Sequence, residues 1–183
     1  DGNNWSALGS GMDSPVQVLI TDGSGNVYAG GSFITAGGSF ASRIAKWNGS
    51  NWSALGSGVS YTVTALAMDG GNLYVGGWFT SAGGVGANHV AKWNGSSWSA
   101  LSSGVNGDVH ALAADGNGNL YVGGLFSAAG SVNANNIAKW DGSDWSALGS
   151  GTNGAVYALA VDGSNVYAGG YFTSAGSAGD QRR

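Results

Sequence analysis

The chain contains no cysteine and no glutamate, one proline and two histidines in 183 residues. Without cysteine it can form no disulfide, hold no thiolate metal site and use no thiol nucleophile, and its redox compartment stays open. Without glutamate, its acidic residues are all aspartate; aspartate is a turn residue where glutamate is a helix former, so helices are disfavoured throughout. Charged residues make up only 9% of the chain, and the net charge of -4 offers no basic footprint for nucleic acid or for an acidic membrane. No apolar run approaches the length of a membrane span. A start at Asp1 with no signal peptide reads as a mature or excised chain. What is abundant is glycine, 36 residues, alongside 11% aromatic and 43% hydrophobic residues. That apolar share suffices for a packed core and argues against disorder.

The glycines and aromatics recur together. Tyr28, Tyr74, Tyr121 and Tyr167 each open a Tyr-(Ala/Val)-Gly-Gly-x-Phe run at a spacing of 46 or 47 residues, and Lys46-Trp47, Lys92-Trp93 and Lys139-Trp140 follow in register. A period of this length marks supersecondary units that lean on their neighbours. Read from Val109, one repeat holds four strand-sized pieces: 109–114, 119–127, 136–140 and 144–148. Three of the joins are short turn signals such as Asp115-Gly116 and Asp141-Gly142-Ser143, so consecutive strands pair antiparallel as a meander. Four strands and one aromatic motif per copy are the cues of a propeller blade. A trefoil of similar repeat length closes with three copies, and a β-helix has a much shorter rung.

The predicted fold is therefore an all-β propeller with four-stranded antiparallel blades of 46–47 residues, about four per chain. It forms a single domain over 1–183, with blades beginning near 16, 63, 109 and 156 and residues 1–10 supplying a fourth strand. The chain ends after a second strand, with Asp180-Gln-Arg-Arg183, before any further Ile-Ala-Lys-Trp segment. An open row would leave edges and apolar faces bare. The expectation is a homodimer that completes the ring, or a piece of a longer propeller.

The phrases Val156-Tyr-Ala-Leu-Ala-Val-Asp-Gly, Asn165-Val-Tyr-Ala-Gly-Gly-Tyr-Phe-Thr-Ser-Ala-Gly and Asn136-Ile-Ala-Lys-Trp-Asp-Gly resemble bacterial secreted propellers of the delta-sixty and kelch-like kinds, over essentially the whole chain. The resemblance implies a secreted, extracellular module used for adhesion, binding or scaffolding, or as an enzyme domain. The copper chemistry of the galactose oxidase branch needs a cysteine-linked tyrosine and does not carry over.

Positions identical in every copy are demanded by blade geometry. Leu19, Leu66, Leu112 and Leu159, the four Tyr, and Phe33, Phe79, Phe126 and Phe172 are read as core. An aromatic side chain buries roughly 150–250 Å², worth about 4–6 kcal/mol before entropy. The pair Gly30-Gly31 and its equivalents mark a bulge or a close approach of backbones; no helix follows them, as a phosphate cradle needs. Asp115-Gly-Asn117-Gly-Asn119, and more weakly Asp22-Gly-Ser24-Gly-Asn26, match the first three ligands of a calcium loop. Leu120 and Phe126 then stand where that loop needs glycine and a bidentate glutamate, so a hairpin turn is favoured. No metal, cofactor or catalytic residue is assigned: His89 and His110 occupy different repeat positions with nothing to complete a ligand set. There is also no Gly-x-Ser-x-Gly elbow between strand and helix. Lys46, Lys92 and Lys139 read as solvated edge residues.

In a meander the inter-blade connection and the loop after the second strand emerge on one face. There the copies differ: Met12-Asp-Ser-Pro15, Val59-Ser-Tyr-Thr62, Val105-Asn-Gly-Asp108 and Thr152-Asn-Gly-Ala155, with Gln17, Thr64, His110, Tyr157 and Ser32, Trp78, Leu125, Tyr171 at two further positions. Rigid scaffolds carry function on such loops. The candidate ligand-binding residues are Tyr61, Trp78, His89, Asp108, His110, Tyr157 and Tyr171. An aromatic plate beside amides and carboxylates suits carbohydrate, with a protein surface as the other ligand class. The expectation is an extracellular binding module and not an enzyme. A self-assembling structural repeat is the first alternative, and a hydrolase or oxidase the weaker one.

Overall fold

The computed structural model describes residues 2–176, and among them all regular structure is strand and turn. Three blades carry four antiparallel strands each, in meander order: Val16–Thr21, Val27–Gly31, Ile44–Trp47 and Trp52–Ala54; then Val63–Asp69, Asn72–Gly77, Val90–Trp93 and Trp98–Ala100; then Asp108–Ala114, Leu120–Leu125, Ile137–Trp140 and Trp145–Ala147. A fourth sheet pairs Val156–Asp162 with Asn165–Gly170. The chain after 176 lies outside the described residues. The first strands of consecutive blades pack side by side at the hub.

Register explains the repeated words. Tyr28 stands opposite Lys46, Tyr74 opposite Lys92 and Tyr121 opposite Lys139, and the Lys46 and Lys139 ammonium groups lie 5.4 and 6.0 Å from the rings they face. The lysines therefore sit on the third, interior strand of the sheet, against an aromatic face, and not on an edge as the sequence suggested. Trp47–Trp52, Trp93–Trp98 and Trp140–Trp145 face each other across the outer hairpin as tilted pairs 5.2–5.5 Å apart, a cross-strand contact that pins register. The inner tryptophan of the outermost strand then ties blade to blade: Trp98 Nε1 donates to the Leu55 carbonyl (2.8 Å) and Trp145 Nε1 to the Leu101 carbonyl (3.0 Å).

Trp52 Nε1 makes the same bond to Leu8, at 2.8 Å, so Leu8 occupies the place of Leu55. The fourth strand expected within 1–10 does not form, however: residues 4–8 pair with no strand and Trp5 is fully exposed. A fourth strand exists only by hydrogen-bonding a third one, and among the described residues no strand lies beside this segment.

Both readings of the glycine pair hold, one for each glycine. A Cβ on Gly30, Gly76 or Gly123 would run into Val63, Val109 or Val156 of the next blade, so the first glycine is where neighbouring blades touch. A Cβ on Gly31, Gly77, Gly124 or Gly170 would meet the carbonyl oxygen of Pro15, Thr62, Asp108 or Ala155, where the register of every first hairpin slips by one residue. The slip is a β-bulge. Its extra residue is Gln17, Thr64, His110 or Tyr157.

The core is divided by seam. One cluster joins Tyr28 and Ile44 of the first blade to Val63, Leu66, Leu73, Val75, Phe79 and Trp98 of the second, and another repeats this from Tyr74 and Val90 into the third. A third, smaller cluster of Ala29, Phe33, Ala36, Ala41 and Ala45 lies within the first blade, so blades lean on their neighbours for the larger share of the core. The conserved sequence therefore does not guarantee burial. Leu66 is 7% exposed and Leu19 61%; Tyr28 is 7% exposed and Tyr167 57%. Leu19 and Tyr167 belong to the first and last sheets of the row, whose outer faces meet no other blade among the described residues.

Candidate functional site

The loop after each second strand is itself a small hairpin, a feature absent from the sequence reading. Thr35–Ala36 pairs with Ser39–Phe40, Ser81–Ala82 with Val85–Gly86, and Ala128–Ala129 with Val132–Asn133. The inter-blade connection runs beneath it through the bridges Met12–Ala36, Val59–Ala82 and Val105–Ala129. One connection residue fixes each hairpin. Asp13 Oδ1 accepts the N–H groups of Ile34 and Thr35 at 2.9 and 3.0 Å; Ser60 Oγ does so for Thr80 and Ser81, Asn106 Oδ1 for Ser127 and Ala128, and Asn153 Oδ1 for Thr173 and Ser174. Asp, Ser and Asn look variable in sequence, yet each supplies the same side-chain oxygen acceptor. This part of the variable face is scaffold.

The end of the same loop places Arg43, His89 and Asn136 at one repeat position with φ of 65, 63 and 63°. The left-handed conformation is one that asparagine and histidine adopt more readily than other residues with a Cβ, and it is unusual for arginine. Each side chain reaches toward the seam: Arg43 Nη1 donates to Ser42 Oγ at 2.9 Å and contacts the Val59 carbonyl at 3.4 Å, while Asn136 Nδ2 donates to the Thr152 carbonyl at 2.8 Å. His89 Nδ1 lies 3.2 Å from the Gly77 carbonyl and 3.8 Å from Asp108 Oδ1 of the next blade. It lines a cavity of about 330 Å³ with Asn88, Ser103, Val105 and Asn106.

The sequence candidates thus come together in pairs, one within the second blade and two across seams. Tyr61 and Trp78 stack at 6.3 Å and 24°, both exposed, with the Arg43 guanidinium 5.8 Å from the Tyr61 ring. His110 and Tyr157, the bulge residues of consecutive first strands, lie 5.2 Å apart and tilted by 55°; the bulge aims them. His89 and Asp108 form the third pair. Tyr171 stands apart, exposed beside a cavity of about 360 Å³ lined with Asn153, Phe172 and Thr173. Arg43 and Asn136 escaped the sequence reading because Arg, His and Asn share no chemistry; their signal is position within the repeat.

The opposite face carries the turns. Asp115 accepts the Asn119 side-chain amide on Oδ2 (2.6 Å) and the N–H groups of Asn117 and Asn119 on Oδ1 (2.8 and 3.2 Å), and Asp22 is bonded likewise by Asn26 and Ser24. Asn119 turns its amide nitrogen toward the carboxylate, the hydrogen-bonded arrangement of a hairpin turn. No group of three or more His, Asp or Glu side chains suited to a metal occurs among the described residues.

These bonds hold both aspartates below the ordinary value of 3.8, chiefly through the side-chain amides of Asn26 and Asn119 and then through backbone N–H groups. Asp13 is lowered by the N–H groups of Thr35 and Ile34, and Asp141 by those of Asp144 and Ser143. A pKa depressed by folding contributes stability that is present above the unfolded pKa and lost as pH falls through the folded one. The melting temperature should therefore hold steady down to about pH 4 and fall below it. Asp115→Ala, which has no carboxylate to protonate, should show a lower plateau and a shallower acid limb. An acid limb of unchanged slope in Asp115→Ala would overturn this assignment.

A family model described as "Domain of unknown function (DUF5122) beta-propeller" matches residues 71–96, the second and third strands of the second blade with the hairpin between them. No curated protein aligns significantly with the chain. Together with the four-stranded antiparallel blades, the match supports reading the chain as a β-propeller repeat protein.

Proposed function

We propose that the chain is a non-enzymatic binding module that works outside the cell and recognises carbohydrate through its loop face. The observation that carries this reading is the exposed Tyr61–Trp78 stack with Arg43 over it, held on loops that every copy fixes by the same cap. Such a plate offers apolar area for the C–H face of a sugar ring, with the Arg43 guanidinium at its margin as a donor for hydroxyls. Exposed aromatic area tolerates several ligands, and a protein surface is the alternative occupant.

A glycan array tests the proposal. The wild-type chain should bind one class of glycan above background, and Trp78→Ala should lose at least ten-fold in affinity, about 1.4 kcal/mol, while its melting temperature stays close to that of the parent. Binding to no glycan, or equal binding by Trp78→Ala and the parent, would exclude carbohydrate recognition at this plate.

A further inference from the structure

The two bare faces of the blade row have complementary shapes, and the three internal seams show what each is built to take. At a seam the first-strand valine of one blade enters the space above the first glycine of its predecessor's second strand: Val63 over Gly30, Val109 over Gly76, Val156 over Gly123. The leucine three residues on joins it, with Leu112 and Leu159 touching Gly76 and Gly123 in the same way. Val63, Val109 and Val156 are completely buried by this contact. Their counterpart Val16 is exposed beside the exposed Leu19, so the first blade presents a knob with no socket. The fourth sheet presents a socket with no knob. Gly169 is the counterpart of Gly30, Gly76 and Gly123, yet a Cβ there would meet only Ala158 of its own sheet, and Tyr167 and Ala168 beside it are open to solvent where Tyr28 and Ala29 are buried.

We propose that a second copy of this chain covers these faces, docking its Val16–Leu19 face onto the Tyr167–Gly169 face of the first as blades dock within the chain. The contact is heterologous, since the two surfaces differ, and it therefore closes a ring or extends a row according to the rotation between blades. The occupant is argued from the sequence itself: each internal seam joins surfaces of the same residue types at the same repeat positions, and a copy of this chain brings both halves. The apolar character of both faces supplies the drive. This association does not depend on the carbohydrate reading.

The test is mass in solution, by native mass spectrometry and light scattering over a wide concentration range, on the full chain. The wild-type mass should be at least double that of one chain. Leu19→Arg and Gly169→Arg each spoil one face at a position exposed in the single chain, so both should fold, as circular dichroism will show, and each alone should be monomeric. Mixed together they should form a dimer and nothing larger, because one variant keeps the knob and the other the socket. A wild-type monomer at every concentration would overturn the proposal, and so would variants that assemble like the parent or a mixture that stays monomeric.

Discussion

Phe79→Ala is expected to unfold the second blade, while Trp78→Ala, one residue earlier, leaves it nearly as stable as before. Phe79 is completely buried, in a cluster with Tyr28, Val63, Leu73, Val75 and Trp98 that spans the first seam. Removing its ring leaves a cavity that rigid strands on both sides cannot close, and such a truncation costs about 3–5 kcal/mol. That is a large share of the roughly 5–15 kcal/mol by which a domain is stable. Trp78 points the other way. It is 41% exposed and its main ring partner is Tyr61, so truncation forfeits part of an exposed stack worth about 0.5–1.5 kcal/mol. For a chain of this size the two variants should melt about 2–4 °C lower per kcal/mol lost, which separates them clearly. Equal destabilisation would mean that Trp78 is core, and the proposed sugar plate would lose its main residue.

The adjacent pair illustrates what the sequence can tell and what it cannot. Comparing copies placed Phe33, Phe79 and Phe126 in the core, because a residue that never changes while its neighbour runs through Ser, Trp and Leu answers to geometry. The same logic failed at Leu19 and Tyr167. Their letters match buried residues in other blades, but burial here is a property of the seam, and a seam needs two blades. The loop face was legible as a place and not as a mechanism. Asp13, Ser60, Asn106 and Asn153 differ between copies, yet backbone N–H groups demand an oxygen acceptor there, which three residue types can provide. Conversely Arg43, His89 and Asn136 share a left-handed backbone that no pattern of hydrophobicity reports. The bulge that aims His110 and Tyr157 was half legible: the glycine that permits it was noted, but which residue it throws out of register depends on pairing.

Placing alanine at the first glycine of the pair should have opposite consequences in different blades, because the same letter faces different surroundings. In Gly76→Ala the new Cβ would lie 2.5 Å from Val109 Cγ1 and 3.3 Å from two Leu112 carbons. Neither strand can retreat without losing its ladder to its own sheet, so the seam must open, at a cost of about 1–3 kcal/mol for an overpacked core. In Gly169→Ala the nearest atom is the Ala158 Cβ at 3.9 Å, an ordinary contact. Neither glycine has a positive φ, so backbone strain does not enter. What remains at Gly169 is the restriction that alanine places on the unfolded chain, which favours folding by about 0.4–1 kcal/mol. Denaturant unfolding at a dilution that keeps the chain monomeric should therefore show Gly76→Ala weakened and Gly169→Ala equal to the parent or slightly stronger. At concentrations where copies associate, the proposed docking makes Gly169 a seam glycine like the others, and its methyl group should then weaken association by the same overpacking that damages Gly76→Ala within the chain. A Gly169→Ala chain that associates as tightly as the parent would show that this sheet face meets no second blade. A Gly76→Ala chain as stable as the parent would show that the blades stand further apart than the Gly76–Val109 approach requires.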